Sequence, residues 1–535
     1  MGTRLYLQLG KESHCLELKT STMASTSAAL LLVAVALLVV HVSRQLFKQH
    51  KLNLPPGPTP LPIIGSLHLL GTHPHQSLAG LAQKYGPVMS IQLGQKTYVV
   101  ATSPEVAQEF LKVQDANFSS RPQLRSIELI VPQDIVFHDI TPVTSHLRKV
   151  LVSELTSAKR LEASKYIRTE ELAHMLRSIS KETGPIQVKT FFYRMSTNIL
   201  TRMILNKRFL CQGRGDDHNA ASEMQEFMEI IEEAGSCMGA VHLKDVFNFI
   251  PKWLDPQGLD TRFRKLKARM DKFYMNMINQ HREERRKNPI SEEQKIFLDV
   301  MLEQLDNSKY EITEELIKGT IWNTLFGGTD TTMVTEEWAM AEVLRCPSVM
   351  KEARSELDRV VGSNRTVQES DIPDLKYIQA IVKETMRLHS IAPLLAPHQS
   401  IYATKAFGFD IPAKTRLFVN WWGIGRDPQV WENPLEFVPE RFLDGAPHAQ
   451  TEFHGQHFEL IPFGSGRRQC TGWSFAALTV HFQLANFLHA FEWSLPNGLS
   501  PDMLDMAEGI GMTMPMQTPL VAIAKPRLAP HLYEG

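Results

Sequence analysis

The chain has 535 residues, with 57 Lys and Arg against 58 Asp and Glu, and 43% of its residues are hydrophobic. A length of this order can bury a large core, in one large domain or in several smaller ones. The balanced charge gives no basic footprint, which argues against a nucleic-acid-binding protein. The 5 cysteines are scattered and odd in number, so they indicate neither a disulfide framework nor a zinc site, and a reducing compartment is favoured for the main body.

The N-terminal region predicts a membrane anchor. Residues 28–42 are apolar almost throughout, and we place the anchor at residues 26–43. The alternatives are a cleaved signal peptide and a buried helix, but no small-residue cleavage site follows. Residues 44–60 are basic and then proline-rich, which predicts a stiff hinge before a catalytic domain at residues 61–535.

Residues 1–22 do not fit this organisation. They carry basic residues upstream of the apolar segment and make the positive-inside rule indecisive. A start at Met23 leaves positive side chains only downstream of the anchor, which places the body in the cytosol. We therefore expect residues 1–22 to be a non-native or unstructured extension.

Helical patterns dominate beyond the hinge. Residues 221–234 contain neither Gly nor Pro, and residues 261–287 are long, charged and periodic, so both predict helices. The short apolar runs at residues 88–93 and 98–101 predict strands with a turn at Gly94 between them. The predicted fold class is mainly α with small β-sheets.

A long helical pattern at residues 316–344 contains two adjacent glycines, Gly327 and Gly328, followed by Asp330 and Thr331. Each glycine costs a helix about 1 kcal/mol, so we expect a locally loosened turn there. A carboxylate and a hydroxyl beside such a gap suit a proton path to a bound oxygen species. The alternative is a simple glycine kink with a polar surface patch.

Cys470 lies between glycines, two residues after Arg468 and just before an apolar segment that begins at Trp473. This pattern suits a thiolate at the start of a helix, where the dipole and nearby N–H groups favour the charged form. Glycines let the backbone approach a flat cofactor, and Arg468 is placed to pair with a carboxylate on it. A thiolate axial ligand to haem iron fits this description. The alternative is a buried free cysteine beside a glycine turn.

The pattern Phe463-x-x-Gly466-x-Arg468-x-Cys470-x-Gly472 resembles the haem-ligand signature of the cytochrome P-450 monooxygenases. The resemblance covers residues 50–530 and implies the fold of that family, haem b with Cys470 as metal ligand, and oxygen activation with electrons from NADPH through a reductase. It also implies a single-pass protein of the endoplasmic reticulum membrane. Thr471 and Gln469 depart from the usual plant pattern.

The resemblance also assigns roles elsewhere in the chain. Asp330 and Thr331 match the family's acid–alcohol pair. Glu384 and Arg387, which alone would predict a surface ion pair, match a Glu-x-x-Arg helix that forms a buried structural network with Arg441. The residues implied to contact haem or its propionates are Arg148, His398, Phe463, Gly466, Arg468 and Gly472.

One position departs from the family. Thr144 stands four residues before Arg148, where the family's helix beside the haem edge usually carries Trp. The resemblance therefore implies a missing N–H donor and weaker haem retention. A rerouted or mis-spliced segment at residues 139–146 is the alternative.

Substrate identity is the least determined property. Residues 411–416, 511–515 and 522–528 resemble the plant fatty-acid in-chain hydroxylases of pollen and spore walls, which implies a medium-chain fatty acid as substrate. Hydroxylation of phenylpropanoids or flavonoids, and a haem-binding but catalytically impaired relative, stay as alternatives. The candidate pocket residues are Ile391, Ala392, Leu394, Leu395, Met512, Thr513 and Met514.

Overall fold

The structure is a computed structural model that describes residues 52–209, 218–291, 294–307 and 309–534. The predicted extension at 1–22, the anchor at 26–43 and residues 44–51 of the hinge lie outside the described residues. Within these described ranges, no helix is long and apolar enough to cross a membrane.

The chain divides into two compact units. The smaller comprises residues 1–55 with residues 404–411. In its described part, the antiparallel hairpin of β5 (Thr404–Ala406) and β6 (Phe409–Ile411) exchanges hydrogen bonds with Asn53. The Asn53 N–H donates to the carboxylate of Asp410 at 2.9 Å, and the Asp410 N–H donates to the Asn53 carbonyl at 2.7 Å.

The larger unit, residues 56–403 and 412–535, is mainly helical. Its described α-helices, in chain order, are α1 (Pro74–Tyr85), α2 (Pro104–Gln108), α3 (Arg125–Ile130), α4 (Pro142–Leu151), α5 (Ala158–Ala163), α6 (Lys165–Ser180), α7 (Val188–Leu205), α8 (His218–Gly239), α9 (Leu243–Val246), α10 (Leu259–Lys287), α11 (Phe297–Asn307), α12 (Glu314–Arg345), α13 (Pro347–Val360), α14 (Lys376–Leu388), α15 (Trp421–Ile424) and α16 (Trp473–Ala490). Mainly helical structure with small sheets is confirmed.

Two small sheets belong to this unit. One has the strand order β1 (Val88–Leu93), β2 (Lys96–Ala101), β7 (Arg416–Val419), β4 (His398–Gln399), and the other has the order β3 (Ile186–Gln187), β9 (Val521–Pro526), β8 (Phe491–Ser494). The predicted hairpin at residues 88–101 is present: Leu93 pairs with Lys96 across a turn in which Gly94 has a φ of +56°. A β-hairpin turn of this kind favours glycine at a positive φ.

Three long helices pack together and position the site. On α7, the Phe192 ring stacks on Phe487 of α16 at 4.1 Å, and Ser196 accepts a hydrogen bond from Gln483 at 3.2 Å. Residue numbers rise along one helix as they fall along the other, so α7 is antiparallel to α16.

Helix α7 is also antiparallel to α12. A Cβ on Gly328 of α12 would lie 2.6 Å from Leu200, near the end of α7. At the start of α7, the Val188 N–H donates to the carbonyl of Leu520, whose own N–H donates to Glu337 of α12. Helices α12 and α16 therefore run in the same direction.

The expected loosening at Gly327 and Gly328 is not observed, because α12 is continuous from Glu314 to Arg345. Gly328 instead allows the close approach of Leu200, and no atom lies within 4 Å of a Cβ built on Gly327. Tertiary packing of this helix outweighs the intrinsic helix cost of the two glycines.

Candidate active site

A cavity of about 320 Å³ lies against α12 and the loop that carries Cys470. It brings together many of the residues singled out in the sequence. The predicted residues that line it are Arg148, Thr331, Ile391, Ala392, Leu395, His398, Phe463, Arg468, Cys470, Gly472, Met512 and Thr513. The predicted residues that are not part of its wall are Asp330, Glu384, Arg387, Leu394, Arg441, Gly466 and Met514.

Cys470 is held by the backbone of its own loop. Its N–H donates to the Phe463 carbonyl at 2.9 Å, and the Gly472 N–H points at its sulfur at 3.4 Å. Cys470 lies deep in the protein, and its accessible surface opens into the cavity. Burial raises the pKa of the thiol, and the Gly472 N–H and the Arg148 charge oppose that rise only in part. A metal ion bound at this sulfur would favour the thiolate further.

Gly466 has a structural role that the sequence did not suggest. Its φ is +65°, and a Cβ there would lie 2.1 Å from the carbonyl oxygen of Leu111. Leu111 belongs to a single π-helical turn at Glu109–Val113, against which the 3₁₀ turn at Gly466–Arg468 packs. The close approach of the Leu111 carbonyl therefore accounts for a glycine at position 466. From the sequence, we had instead expected this glycine to allow the approach of a cofactor.

Four basic side chains converge on one side of the cavity. They are Arg121, Arg148, His398 and Arg468. Arg148 donates to the Gln469 carbonyl at 2.7 Å, and Arg468 donates to the carbonyls of Ser119 and His138 at 2.7 and 2.6 Å. These are bonds to neutral acceptors, and none of the three arginines forms an ion pair with a carboxylate in the described part of the chain.

Arg121 was missed in the sequence, where it carries no recognisable spacing to the other three. Its guanidinium donates to the carbonyls of Val136, Ala396 and Pro397 at 3.2, 2.6 and 2.8 Å. Burial, together with the charges of Arg468 and Arg148, lowers the pKa of Arg121 to about 9. No sequence signal connects it to the site, because the contact depends on how distant loops meet.

The pKa values of the other basic side chains reflect the same excess of positive charge. Burial and the Arg148 charge lower the pKa of Arg468 to about 10, and burial lowers the pKa of Arg148. Burial and the Arg121 charge hold the pKa of His398 well below its ordinary value, and its Nδ1 bonds the Phe118 carbonyl at 2.8 Å. Buried cations that lack anions fit two carboxylates of a bound group. The donor set therefore fits haem, with its propionates on this side and its iron at Cys470.

Thr144 lies in the first turn of α4, one turn before Arg148. Its Oγ1 accepts the Thr141 N–H at 2.8 Å, and its own N–H donates to Thr141 Oγ1 at 3.1 Å, which is a capping box at the start of α4. Thr144 is not part of the cavity wall. Nearby His146 bonds Gln304 at 2.8 Å, away from the cavity.

Asp330 and Thr331 lie on different sides of α12. Thr331 lines the cavity, and its Oγ1 donates to the Gly327 carbonyl at 2.5 Å. Asp330 Oδ2 accepts the Thr513 hydroxyl at 2.6 Å. Burial raises the pKa of Asp330, although the Thr513 hydroxyl and the Lys189 charge act in the opposite direction. A carboxyl with a raised pKa is a suitable proton donor near neutral pH.

Glu384, Arg387 and Arg441 form a buried ion network outside the cavity. Arg387 donates to both Glu384 oxygens at 2.6 and 2.7 Å, and Arg441 donates to Glu384 at 3.2 Å. Arg387 also donates to the carbonyls of Gly425, Pro434 and Glu436. Because Glu384 and Arg387 have no exposed side-chain surface, the surface ion pair that their spacing alone favoured is wrong.

Two of the seven pocket candidates belong to the core instead. Met514 donates its N–H to the Ile391 carbonyl at 3.0 Å, and its carbonyl accepts the Trp338 indole N–H at 2.9 Å. Leu394 packs against the hydrophobic cluster around β1 and β2. Cavity residues that the sequence did not suggest include Phe137, Leu200, Asn323 and Phe326.

A cysteine thiol that opens into a cavity beside guanidinium groups without ion-pair partners among the described residues fits a haem-thiolate site. The family model for cytochrome P-450 matches residues 55–521, and the chain belongs to that family. It is a cytochrome P-450 monooxygenase, with a haem-thiolate cofactor and electrons supplied by a reductase, acting with O2 on a small molecule.

The similarity to several described relatives extends over almost the whole chain. A flavonoid 3'-monooxygenase of Petunia hybrida is 39% identical over 96% of this chain and 100% of its own length. A flavonoid 3',5'-hydroxylase of Campanula medium is 39% identical over 92% of this chain and 95% of its own. Cytochrome P-450 703A2 of Arabidopsis thaliana is 39% identical over 90% of this chain and 94% of its own.

Proposed function

We propose that this enzyme hydroxylates the aromatic ring of a flavonoid or a related phenolic compound. The observation that carries the proposal is the similarity, over nearly the full chain, to relatives described as flavonoid hydroxylases. These names favour the flavonoid alternative over the medium-chain fatty acid that the sequence analysis placed first. The cavity wall supports an aromatic substrate, because Phe137 and Phe326 offer ring contacts and Asn323 and Thr324 offer polar groups.

In this proposal each site residue has a defined task. Cys470 supplies the thiolate, and Arg148, Arg468 and His398, with Arg121, bind the propionates. Haem, when bound, supplies the oxygen-activating chemistry. Thr331 Oγ1 faces the substrate side of the cavity and passes protons inward, while Asp330 holds a proton at its carboxyl next to Thr513. Ile391, Ala392 and Leu395 exclude water from the substrate.

Location is part of the same proposal. Residues 26–43 anchor the chain by a single span in the endoplasmic reticulum membrane, and the catalytic domain lies in the cytosol beside NADPH–cytochrome P-450 reductase. The apolar composition of residues 28–42 supports the anchor.

A product assay tests the substrate class. The purified enzyme is combined with reductase and NADPH, and naringenin and lauric acid are supplied separately. We expect a hydroxylated flavanone and no hydroxylated laurate, with Cys470→Ser as the inactive control. Hydroxylated laurate alone would restore the fatty-acid function, and no product from a broad lipid and phenolic panel would favour the impaired relative.

A further inference from the structure

Glu336 of α12 is a buried acid that the site described above does not use. It is 0% exposed, and neither of its carboxyl oxygens has a hydrogen-bond partner in the part of the chain that the structure describes. An ionised carboxylate without partners is very costly in such surroundings. Burial raises the pKa of Glu336 well above its ordinary value, which favours the neutral acid.

Glu336 directly follows the part of α12 that lines the cavity, whose last residue is Thr335. Thr332 lies four residues earlier on the same face of α12. Thr332 lines the cavity, and its Oγ1 also lacks a hydrogen-bond partner within the described ranges. A polar line therefore runs from the cavity wall to the Glu336 carboxyl.

The facing helices also carry polar groups. On α16, Gln483 lies three residues after the cavity residue Val480, and on α7, Ser196 lies four residues before the cavity residue Leu200. Because α12 and α16 are parallel and α7 is antiparallel to both, all these steps lead away from the cavity in one direction. Because Leu200 faces Gly328, Ser196 lies opposite Thr332, one turn before Glu336. The Glu336 side chain leans back towards that level, since helical side chains point towards the N-terminus of their helix. Ser196, Gln483 and the Glu336 carboxyl are here called the polar layer.

Aromatic rings cover the polar layer on the side away from the cavity, and some of its polar atoms have no hydrogen-bond partner among the described residues. The stacked rings of Phe192 and Phe487 lie one turn further from the cavity. Gln483 donates to Ser196 at 3.2 Å, but its Oε1 has no described hydrogen-bond partner. Each buried polar group without a hydrogen-bond partner costs about 1–3 kcal/mol of folding free energy. Buried water binds where two to four such groups meet.

We propose that the polar layer is an internal water site that is reached from the haem cavity past Thr332, and that Glu336 is a neutral acid hydrogen-bonded to that water. The site stores exchangeable protons behind the cavity wall, separately from Asp330. Glu336 is a positioning residue for water and does not itself touch the substrate. Hydration of the layer does not depend on which substrate the enzyme takes.

Infrared difference spectroscopy of the full-length holoenzyme tests this inference. Wild-type spectra at pH 7.5 are compared with Glu336→Gln, and Glu337→Gln is the matched control because the neighbouring Glu337 accepts the Leu520 N–H at 3.0 Å. We expect a carboxylic-acid carbonyl band that is lost only in Glu336→Gln, has the frequency of a hydrogen-bonded acid and shifts in D2O. A carboxylate band, or the frequency of a free acid that does not exchange, overturns the proposal.

A second variant keeps the test decisive if Glu336→Gln does not fold. Thr332→Val replaces the hydroxyl at the entrance by a methyl group of similar size. We expect the acid band to move towards the free-acid frequency, or its exchange in D2O to slow at least several-fold. An unchanged band and exchange rate would show that the layer is not hydrated past Thr332.

Discussion

Arg121→Met is expected to weaken haem binding and also to lower the stability of the haem-free protein, because the carbonyls of Val136, Ala396 and Pro397 lose a donor. In the haem-free protein the guanidinium has no ion-pair partner among the described residues, and the charges of Arg468 and Arg148 outweigh that of Asp134. With haem bound, a propionate provides the missing anion. One charge-assisted hydrogen bond is worth about 1.5–3 kcal/mol, which corresponds to about a 10- to 150-fold faster haem release.

The assay is haem transfer from the purified holoenzyme to excess apomyoglobin. Arg177→Met is the matched control, because Arg177 is exposed and none of the described residues forms an ion pair with it. Arg121→Lys keeps a charge and should fall between wild type and Arg121→Met. Equal release rates for Arg121→Met and Arg177→Met would refute a role for Arg121 in haem binding.

Four further outcomes are expected. Cys470→Ser should lose the thiolate-type absorption band of the reduced carbon monoxide complex, because a hydroxyl donates less charge to iron; retention of that band would place the ligand elsewhere. Thr331→Ala should keep haem but form less product per NADPH, with more peroxide, unless protons reach the site by another route. Gly466→Ala should prevent stable haem incorporation, since it adds about 1–3 kcal/mol of backbone strain and a clash, whereas Gly445→Ala, with a φ of +86° and open space, should retain haem. Thr144→Trp should lower stability by about 1 kcal/mol, because the Thr141 N–H loses its acceptor in the capping box, and should not slow haem transfer to apomyoglobin.

Local patterns in the sequence predicted local structure well. The hairpin at residues 88–101 and the helix at residues 261–287 depend on periodicity and turn residues that lie next to one another in the chain. The continuous α12 could not be predicted in this way, since Leu200, more than a hundred residues away, fills the space that Gly328 leaves. Intrinsic propensity is a weak guide where tertiary packing decides.

Predictions for the site likewise succeeded for residues within motifs and failed for residues whose position depends on tertiary contacts. The motif around Cys470 and the position of His398 could be read from the resemblance, and the structure brings both to one cavity. Arg121 could not be found, because its place depends on loops that meet only in the fold. Thr144 was singled out by its spacing to Arg148, and the sequence did not show that the first turn of α4 uses its hydroxyl in a capping box.

The bonds of Arg387 to three carbonyls between residues 425 and 436 have a consequence for engineering this enzyme. Much of that segment lacks regular structure, and its backbone is held by two guanidinium groups: Arg387 on α14, and Arg441, which donates to the carbonyls of Glu432 and Asn433. A chimera that exchanges residues 425–441 with a relative should retain its fold only if the donor segment presents the same carbonyls to Arg387. Crossover points before residue 384 or after residue 441 keep the network within one parent, and recombination libraries should recover functional clones there far more often than from breakpoints between them.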